Sequence, residues 1–329
     1  MLRHRNEYPV EGRFPGFDGA TAWLNSAPVT SGTLQGGVVL VSFGTYTCIN
    51  WIRSLPYVRA WADKYGGQGL VVIGVQTPEF DFEEDLDGVR TALNEMDVRY
   101  PVAVDNDYAV WRAFDNHYWP ALYFVDGQGE IRHHRFGEGE YEESERVLQM
   151  LLGQSGIDDV DRSVVQLKPR GVELPADWDN LHSPENYVGY ERTQGFASPG
   201  GPVLDERHVY TAPPSLGRNQ WALSGDWRMG AVATILEESN GAISCAFHAR
   251  DLHLVMRPAR PQAPVRFLVR IDGGRPGPAH GIDVDEDGSG TVTGQRLYQL
   301  VRQPGPIADQ RFEIEFLDAG VEAYVFTFG

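Results

Sequence analysis

The stretch from residue 38 to residue 58, VVLVSFGTYTCINWIRSLPYV, restricts the fold of this chain more than any other. Residues 38–43 form a short, β-branched apolar run preceded by Gly36 and Gly37, the composition of a strand buried on both faces in an α/β core. A helix period starts almost at once. Ile49, Ile52, Leu55, Val58 and Trp61 recur at three- and four-residue spacing on one face, with Thr47 as the expected N-cap and Cys48 at the first helical position. A thiol is thereby set where a strand hands over to a helix N-terminus. Unpaired N–H groups and the helix dipole favour a thiolate there, and such sites lower a cysteine pKa from ~8.5 to between ~3.5 and ~7.5.

The rest of the first half supplies the partners that such a strand needs. Gly66 and Gly67 end the helix, and residues 70–75 (LVVIGV) form a second buried strand that delivers Gln76, Thr77, Pro78 and Glu79 at its C-terminal end. Catalytic groups of open α/β sheets lie at such strand ends, which makes Glu79 a candidate proton acceptor for Cys48. Residues 89–96 read as a helix, 100–104 as a strand and 109–114 as a helical turn. Residues 118–126 open a strand that turns at Gly127-Gln128-Gly129 and returns as 131–136, and 142–152 form an amphipathic closing helix. Near the N-terminus, the pieces 21–24 and 28–30 predict a hairpin covering the sheet.

A strand, a short turn, a cysteine at a helix start and Pro56 eight residues after that cysteine resemble the active-site segment of thioredoxin-fold proteins. More specifically, TYTCIN, GVQTPEF, NHYWPALYFVD and FGEGEY resemble the thioredoxin-like domain of the DipZ group, and the extra strand and helix before NHYWP resemble the insertion of TlpA-type thioredoxin folds. The resemblance implies that Pro120 is the cis-proline of that fold and that the Trp119–Pro120 loop lies against Cys48 in a substrate groove. The sequence departs from the family at the chemistry. The run is Cys48-Ile49-Asn50-Trp51 in place of Cys-x-x-Cys, and Ser42 stands where thioredoxins place a buried carboxylate that serves the second thiol. Trp51 is then either a packing replacement for the missing cysteine or, with Tyr46 and Trp119, part of an aromatic wall beside the sulfur.

At 329 residues the chain is long enough for two ordinary domains. The expected division is a thioredoxin-like α/β domain over 1–155, a linker over 156–182, where no period is sustained, and an all-β sandwich over 183–329. Val265, Phe267, Val269 and Ile271 alternate with Arg266, Leu268 and Arg270; Phe312, Ile314 and Phe316 alternate with Arg311, Glu313 and Glu315; and Tyr324, Phe326 and Phe328 alternate near the end. SPENY and GVEAYVFTFG resemble the jelly-roll-like, carbohydrate-module-like C-terminal domain of the same DipZ group. Cys245 alternates with Ile243 and Phe247 and belongs to a core. The pairs His133/His134 and His248/His253 lack metal-ligand spacing. Residues 283–288, DVDEDG, start like a calcium loop but Gly294 stands where the bidentate Glu is needed, so an acidic turn is expected and neither a metal nor a cofactor is.

With 28 Lys plus Arg against 46 Asp plus Glu, the formal charge of −18 argues against a nucleic-acid partner. No apolar run approaches the ~20 residues of a membrane span, and residues 1–7 (MLRHRNE) contain no hydrophobic signal core. Two lone cysteines suit a reducing compartment, so the expected location is the cytoplasm. The function expected first is a thioredoxin-like thiol oxidoreductase in which Cys48 attacks a disulfide-bearing protein or small disulfide and an external thiol resolves the product. Two alternatives stand beside it. One is a one-cysteine peroxidase, since Thr45-x-x-Cys48 matches part of the peroxiredoxin motif although Val41 stands where that motif has proline. The other is a redox-inactive binding protein that offers the thioredoxin groove to a peptide and the sandwich to a glycan.

Overall fold

The computed structural model describes residues 8–260 and 262–329, so the segment 1–7 lies outside the described residues. The chain divides into two units, the first ending at Glu173 and the second spanning Leu174–Gly329. In the first unit the elements run β1 (Gly12–Arg13), β2 (Ala22–Leu24), β3 (Val38–Gly44), α1 (Ile49–Tyr65), β4 (Leu70–Gln76), α2 (Leu86–Glu95), β5 (Val102–Val104), α3 (Ala109–Ala113), β6 (Ala121–Val125), β7 (Glu130–Phe136) and α4 (Tyr141–Gln154). Sheet order is β1-β7-β6-β3-β4-β5-β2. β3 pairs in parallel with β4 and antiparallel with β6, so it lies inside the sheet, and all seven of its residues are buried. That position explains the unbroken apolar run.

The two faces of β3 meet different partners. Val39, Val41 and Phe43 pack with Phe17, Ile73, Val75, Phe114 and Tyr123. On the alternate face Gly44 meets Trp51 of α1. Helix α1 buries Ile49, Ile52, Leu55, Val58 and Trp61, the stripe read from the sequence. Its start differs by one residue from the expectation. Cys48 itself is the N-cap, with extended backbone (φ −75°, ψ 112°), and Thr47 lies outside the helix because its hydroxyl is taken by Glu83. Pro56 lies within α1 and cannot donate to the carbonyl of Ile52.

The expected N-terminal hairpin does not form. β2 pairs antiparallel with β5 and β1 pairs antiparallel with β7, so the two short strands cap opposite edges of the sheet. The reason lies just after β2. Asn25 adopts a positive φ of 63° and its amide donates to the carbonyls of Val98 (2.9 Å) and Tyr100 (3.1 Å), which commits this segment to the β5 edge. Residues 31–34 then form a 3-10 turn, not a returning strand.

Part of the expected linker is packed structure. Glu145 of α4 is fully buried and accepts from the Tyr65 hydroxyl (2.6 Å), Lys64 Nζ (3.1 Å) and the Val165 N–H (2.8 Å). Gln149 donates to the Ser163 carbonyl at 2.7 Å, and Arg59 of α1 pairs with Glu173 at 2.7 Å. Residues 161–173 therefore run as a strap over α1 and α4, held by polar contacts that leave no hydrophobic period to read.

The second unit is antiparallel β: β8 (Asn186–Tyr187), β9 (Arg207–Tyr210), β10 (Trp221–Met229), β11 (Thr234–Leu236), β12 (Gly241–Phe247), β13 (Asp251–Pro258), β14 (Val265–Ile271), β15 (Ser289–Val292), β16 (Arg296–Arg302), β17 (Gln310–Phe316) and β18 (Val321–Phe328). The long strand β10 pairs with β12 over residues 221–224 and with β9 and β11 beyond. Gly225 marks the change. Its φ of 94° is a left-handed conformation, and a Cβ there would lie 2.7 Å from the Gly241 Cα, so no other residue fits. One strand thus serves both parts of the sheet and wraps it around a core that includes Trp221, Trp227, Ile243, Cys245, Phe312 and Phe326. Burial pushes the Cys245 thiol pKa up. Residues 283–288 form a turn: Asp283 accepts from Arg296 (2.7 Å) and the Gln299 N–H (2.8 Å), and Asp285 accepts from the Ser289 N–H (2.7 Å).

Replacing Glu145 with Ala leaves the Tyr65 hydroxyl, Lys64 and the Val165 N–H without their shared acceptor. Unfolding of Glu145→Ala in urea is expected to show a loss of about 2–4 kcal/mol, against less than about 0.5 kcal/mol for the exposed control Glu142→Ala.

Candidate functional site

Three segments converge at the start of α1: the β3–α1 turn with Thr45, Tyr46, Thr47 and Cys48; residues 76–84 after β4; and the loop 116–120 before β6. Cys48 is half-buried, and its Sγ lies 3.9 Å from the Trp119 carbonyl oxygen, to which it donates. The Trp119–Pro120 peptide bond is cis. Trp119 is anchored at its other end, where Nε1–H donates to the Thr77 carbonyl at 3.1 Å, and its ring packs on Trp111 with centroids 4.4 Å apart. Buried Asn116 steadies the same loop by donating to the Tyr118 carbonyl (3.0 Å) and accepting from the Tyr123 hydroxyl (3.1 Å).

The post-β4 segment is fixed from both sides. Thr77 N–H donates to the Gly44 carbonyl (3.2 Å), and Thr77 Oγ1 donates to Asp105 (3.1 Å), whose carboxylate also accepts from the N–H groups of Val110 and Trp111 at 2.8 Å. Asp105 is fully buried; burial raises its pKa and those donors oppose the rise. Gln76 Nε2 donates to Thr45 Oγ1 at 2.9 Å.

Among the residues singled out from the sequence, Cys48, Trp119 and Pro120 come together. Trp51 and Tyr46 do not form an exposed wall: they are only 4% and 2% exposed. Trp51 lies over Gly44, where a Cβ would sit 2.1 Å from its indole ring, and its Nε1–H has no acceptor among the described residues. It fills volume. Tyr46 packs against Phe82, ring to ring at 6.3 Å. The aromatic residue whose backbone meets the sulfur is half-buried Trp119, and in the same loop Tyr118 is 53% exposed and packed on Phe136 at 4.8 Å. Glu79 is half-buried, and its N–H donates at 2.7 Å to Glu83.

Glu83, which residue-level reasoning passed over, is the carboxylate built into this site. It lies in the 3-10 turn Asp81–Glu84, three residues after Phe80, the spacing at which a glutamate reaches back to an N-cap N–H. That spacing was the available signal. Another buried acid, Glu138 of FGEGEY, pairs with fully buried Arg53 of α1 at 3.2 Å. Burial raises the Glu138 pKa, and Arg53 opposes the rise. Beside this pair Tyr57 stacks on Tyr141 at 3.7 Å, so α1 is clamped to the segment after β7.

This arrangement has a cysteine at a helix N-cap, a proline loop against its sulfur and a central β3–α1 unit, which is the layout of a thioredoxin-like thiol–disulfide oxidoreductase fold. Comparison with known families agrees. Residues 10–134 match the AhpC/TSA family and residues 183–329 match the thioredoxin-like C-terminal domain. The chain therefore belongs to the thioredoxin-like proteins, an AhpC/TSA domain being followed by the thioredoxin-like C-terminal domain. Among its relatives, protein DipZ of Mycobacterium bovis is 36% identical over 250 residues, covering 74% of this chain and 35% of DipZ. The chain thus spans about a third of that relative's length. The thiol-disulfide oxidoreductase YkuV of Bacillus subtilis is 29% identical over 141 residues, 43% of this chain and 95% of YkuV. A solved thioredoxin-like protein in its oxidized form is 31% identical, covers 44% of this chain and 97% of its own, and superposes with a TM-score of 0.41.

The contact between Gly44 and Trp51 is directly testable. Gly44→Ala is expected to lose about 1–3 kcal/mol of unfolding free energy by overpacking. In a Trp51→Ala background, where the ring is gone, the same substitution is expected to cost less, and a double-mutant cycle by chemical denaturation reads the difference.

Proposed function

We propose that the first domain carries out thiol–disulfide exchange with one nucleophile, Cys48, and relies on an external thiol for resolution. The observation that carries this reading is the half-buried Cys48 sulfur at the N-cap of α1, facing the Trp119 carbonyl, while Trp51 fills the position of a second thiol. A helix N-terminus presents N–H groups and positive potential to a thiolate. Attack by the Cys48 thiolate on a disulfide forms a Cys48–S–S–R bond and breaks the original S–S bond, and the leaving thiolate takes a proton from solvent. A second thiolate then attacks the mixed disulfide at the R sulfur, which frees Cys48 and carries R away as a new disulfide. No net electron remains on the protein. The substrates are disulfide-bearing proteins or small disulfides, with Trp119 and Tyr118 as the aromatic surface beside the reacting sulfur. The thioredoxin-like domains of the relatives support the exchange chemistry; the one-cysteine cycle is this chain's own departure.

Incubation with glutathione disulfide is expected to add one glutathione to the wild-type chain by intact mass, at the peptide containing Cys48, and none to that peptide in Cys48→Ser. Loss of the adduct on adding reduced thiol completes the cycle; a Cys48 that takes no adduct refutes the reading. In addition, Trp51→Cys places two thiols three residues apart at the start of α1, within the ~7 Å Cα limit for a disulfide. Thiol titration of folded Trp51→Cys after mild oxidation is expected to show both thiols consumed.

A further inference from the structure

One buried carboxyl bonded to the turn before α1 has no part in the exchange cycle. Glu83 is fully buried, and each of its oxygens is doubly engaged. Oε1 accepts from the Thr47 N–H (3.3 Å) and the Thr47 hydroxyl (2.6 Å), and Oε2 accepts from the N–H groups of Glu79 (2.7 Å) and Phe80 (3.0 Å). Thr47 is joined directly to Cys48. On the other side, the segment that holds Glu79 and Phe80 also presents the Thr77 carbonyl to Trp119 Nε1, and the Trp119 carbonyl faces Cys48 Sγ. The contacts close a ring from Cys48 through Thr47, Glu83, residues 77–80 and Trp119 back to Cys48. Glu83 is the fully buried acid whose carboxylate bridges the two sides of that ring.

Resting on the proposed nucleophilic role of Cys48, we infer that Glu83 is a positioning residue which also sets the pH at which Cys48 becomes reactive. Its carboxylate fixes the β3–α1 turn against the Trp119 loop, and its buried negative charge opposes a second negative charge on Sγ. The donors around Glu83 are neutral hydroxyl and N–H groups, so they stabilise the carboxylate without cancelling its charge. Burial raises the Glu83 pKa and these donors oppose the rise. Other titratable groups facing this region are acidic or phenolic: Glu79 and Glu84 on the same segment, Asp105 through Thr77, and Tyr108, whose hydroxyl donates to the Pro78 carbonyl. A buried charge in such surroundings is weakly screened, so its effect on a neighbouring thiolate is large for its distance.

The test is the pH profile of Cys48 alkylation by iodoacetamide in the full chain, read by peptide mapping so that Cys245 is scored separately. Glu83→Gln keeps the shape; its amide oxygen can accept from Glu79 and Phe80 while its NH₂ donates to the Thr47 hydroxyl. The expected result is a profile displaced to lower pH, with alkylation on its acidic limb about three- to tenfold faster than wild type. Glu83→Asp keeps the charge and is expected to leave the profile near wild type while lowering the melting temperature. A folded Glu83→Gln protein whose profile does not move overturns the inference, because a merely structural cap would give that result. Should Glu83→Gln not fold, the reciprocal effect is measured on the wild type by ¹³C titration of the Glu83 carboxyl before and after capping Cys48 as a methyl disulfide. Linkage requires Glu83 to ionise at lower pH once the thiolate is removed, and an unchanged titration overturns the inference. The two readings fail separately. An unmoved profile with glutathione adduct formation intact sinks only the role of Glu83, and a displaced profile without an adduct sinks only the exchange cycle. A Cys48 alkylated at no pH sinks both.

Discussion

A strand with no exposed position must be covered on both faces, and β3 imposes that demand on everything around it. The cover on one side is the cluster of Phe17, Phe114 and Tyr123; on the other it is α1, brought in so closely that Gly44 has no room for a Cβ beneath Trp51. Because α1 starts five residues after β3 ends, the same packing that buries the strand aims the N-terminus of the helix at the C-terminal end of the sheet. Cys48 is located by this geometry before any chemistry is considered. The place of this thiol is a by-product of how a buried strand is roofed.

Around that unit, irregular segments are held by buried acids. Asp105 gathers Thr77 and two N–H groups of α3, Glu83 gathers the turns at 47 and 79–80, and Glu145 gathers α1, α4 and the strap. Glu138 does the same through Arg53. Asp105, Glu83 and Glu145 each satisfy several donors that would otherwise be left unmet inside the protein, which offsets the cost of burying the charge. The arrangement also gives the thiol a distinctive setting. The polar order of the loops around it runs through acids, so the Cys48 thiol sits among neutral donors and acidic neighbours. Cys245 is in the opposite situation, with a raised pKa inside an apolar core at β12. The two thiols of the chain therefore differ in kind, one at a helix N-cap and one a buried small hydrophobe.

Much of this was legible in the residues. The run at 38–43, the helix stripe from Ile49 to Trp61, the buried strand at 70–75 and the alternating strands of the second half carry strong periods, and a period depends only on local geometry. Cys48 beside a helix start, Trp119 and Pro120 were likewise legible. The pairing of β2 with β5, the strap over 161–173 and the roles of Glu83 and Tyr118 were not, since each depends on side-chain contacts between segments far apart in the chain. Asn25 reaches residues 98 and 100, and Glu145 reaches residue 165; no window of local sequence contains both partners.

By itself the sequence determined that this chain has an α/β half with one thiol at a strand-to-helix junction and no second thiol three residues on, because covalent order and apolar period suffice for that. Only the tertiary structure decided which groups surround the sulfur. It buried Tyr46 and Trp51, left Tyr118 and Trp119 at the surface, and placed the carboxylate of Glu83 under the turn that ends in Cys48. The physical reason is that burial and hydrogen bonding are settled by the packing of segments against one another, and residues with the same local preferences receive opposite environments from it.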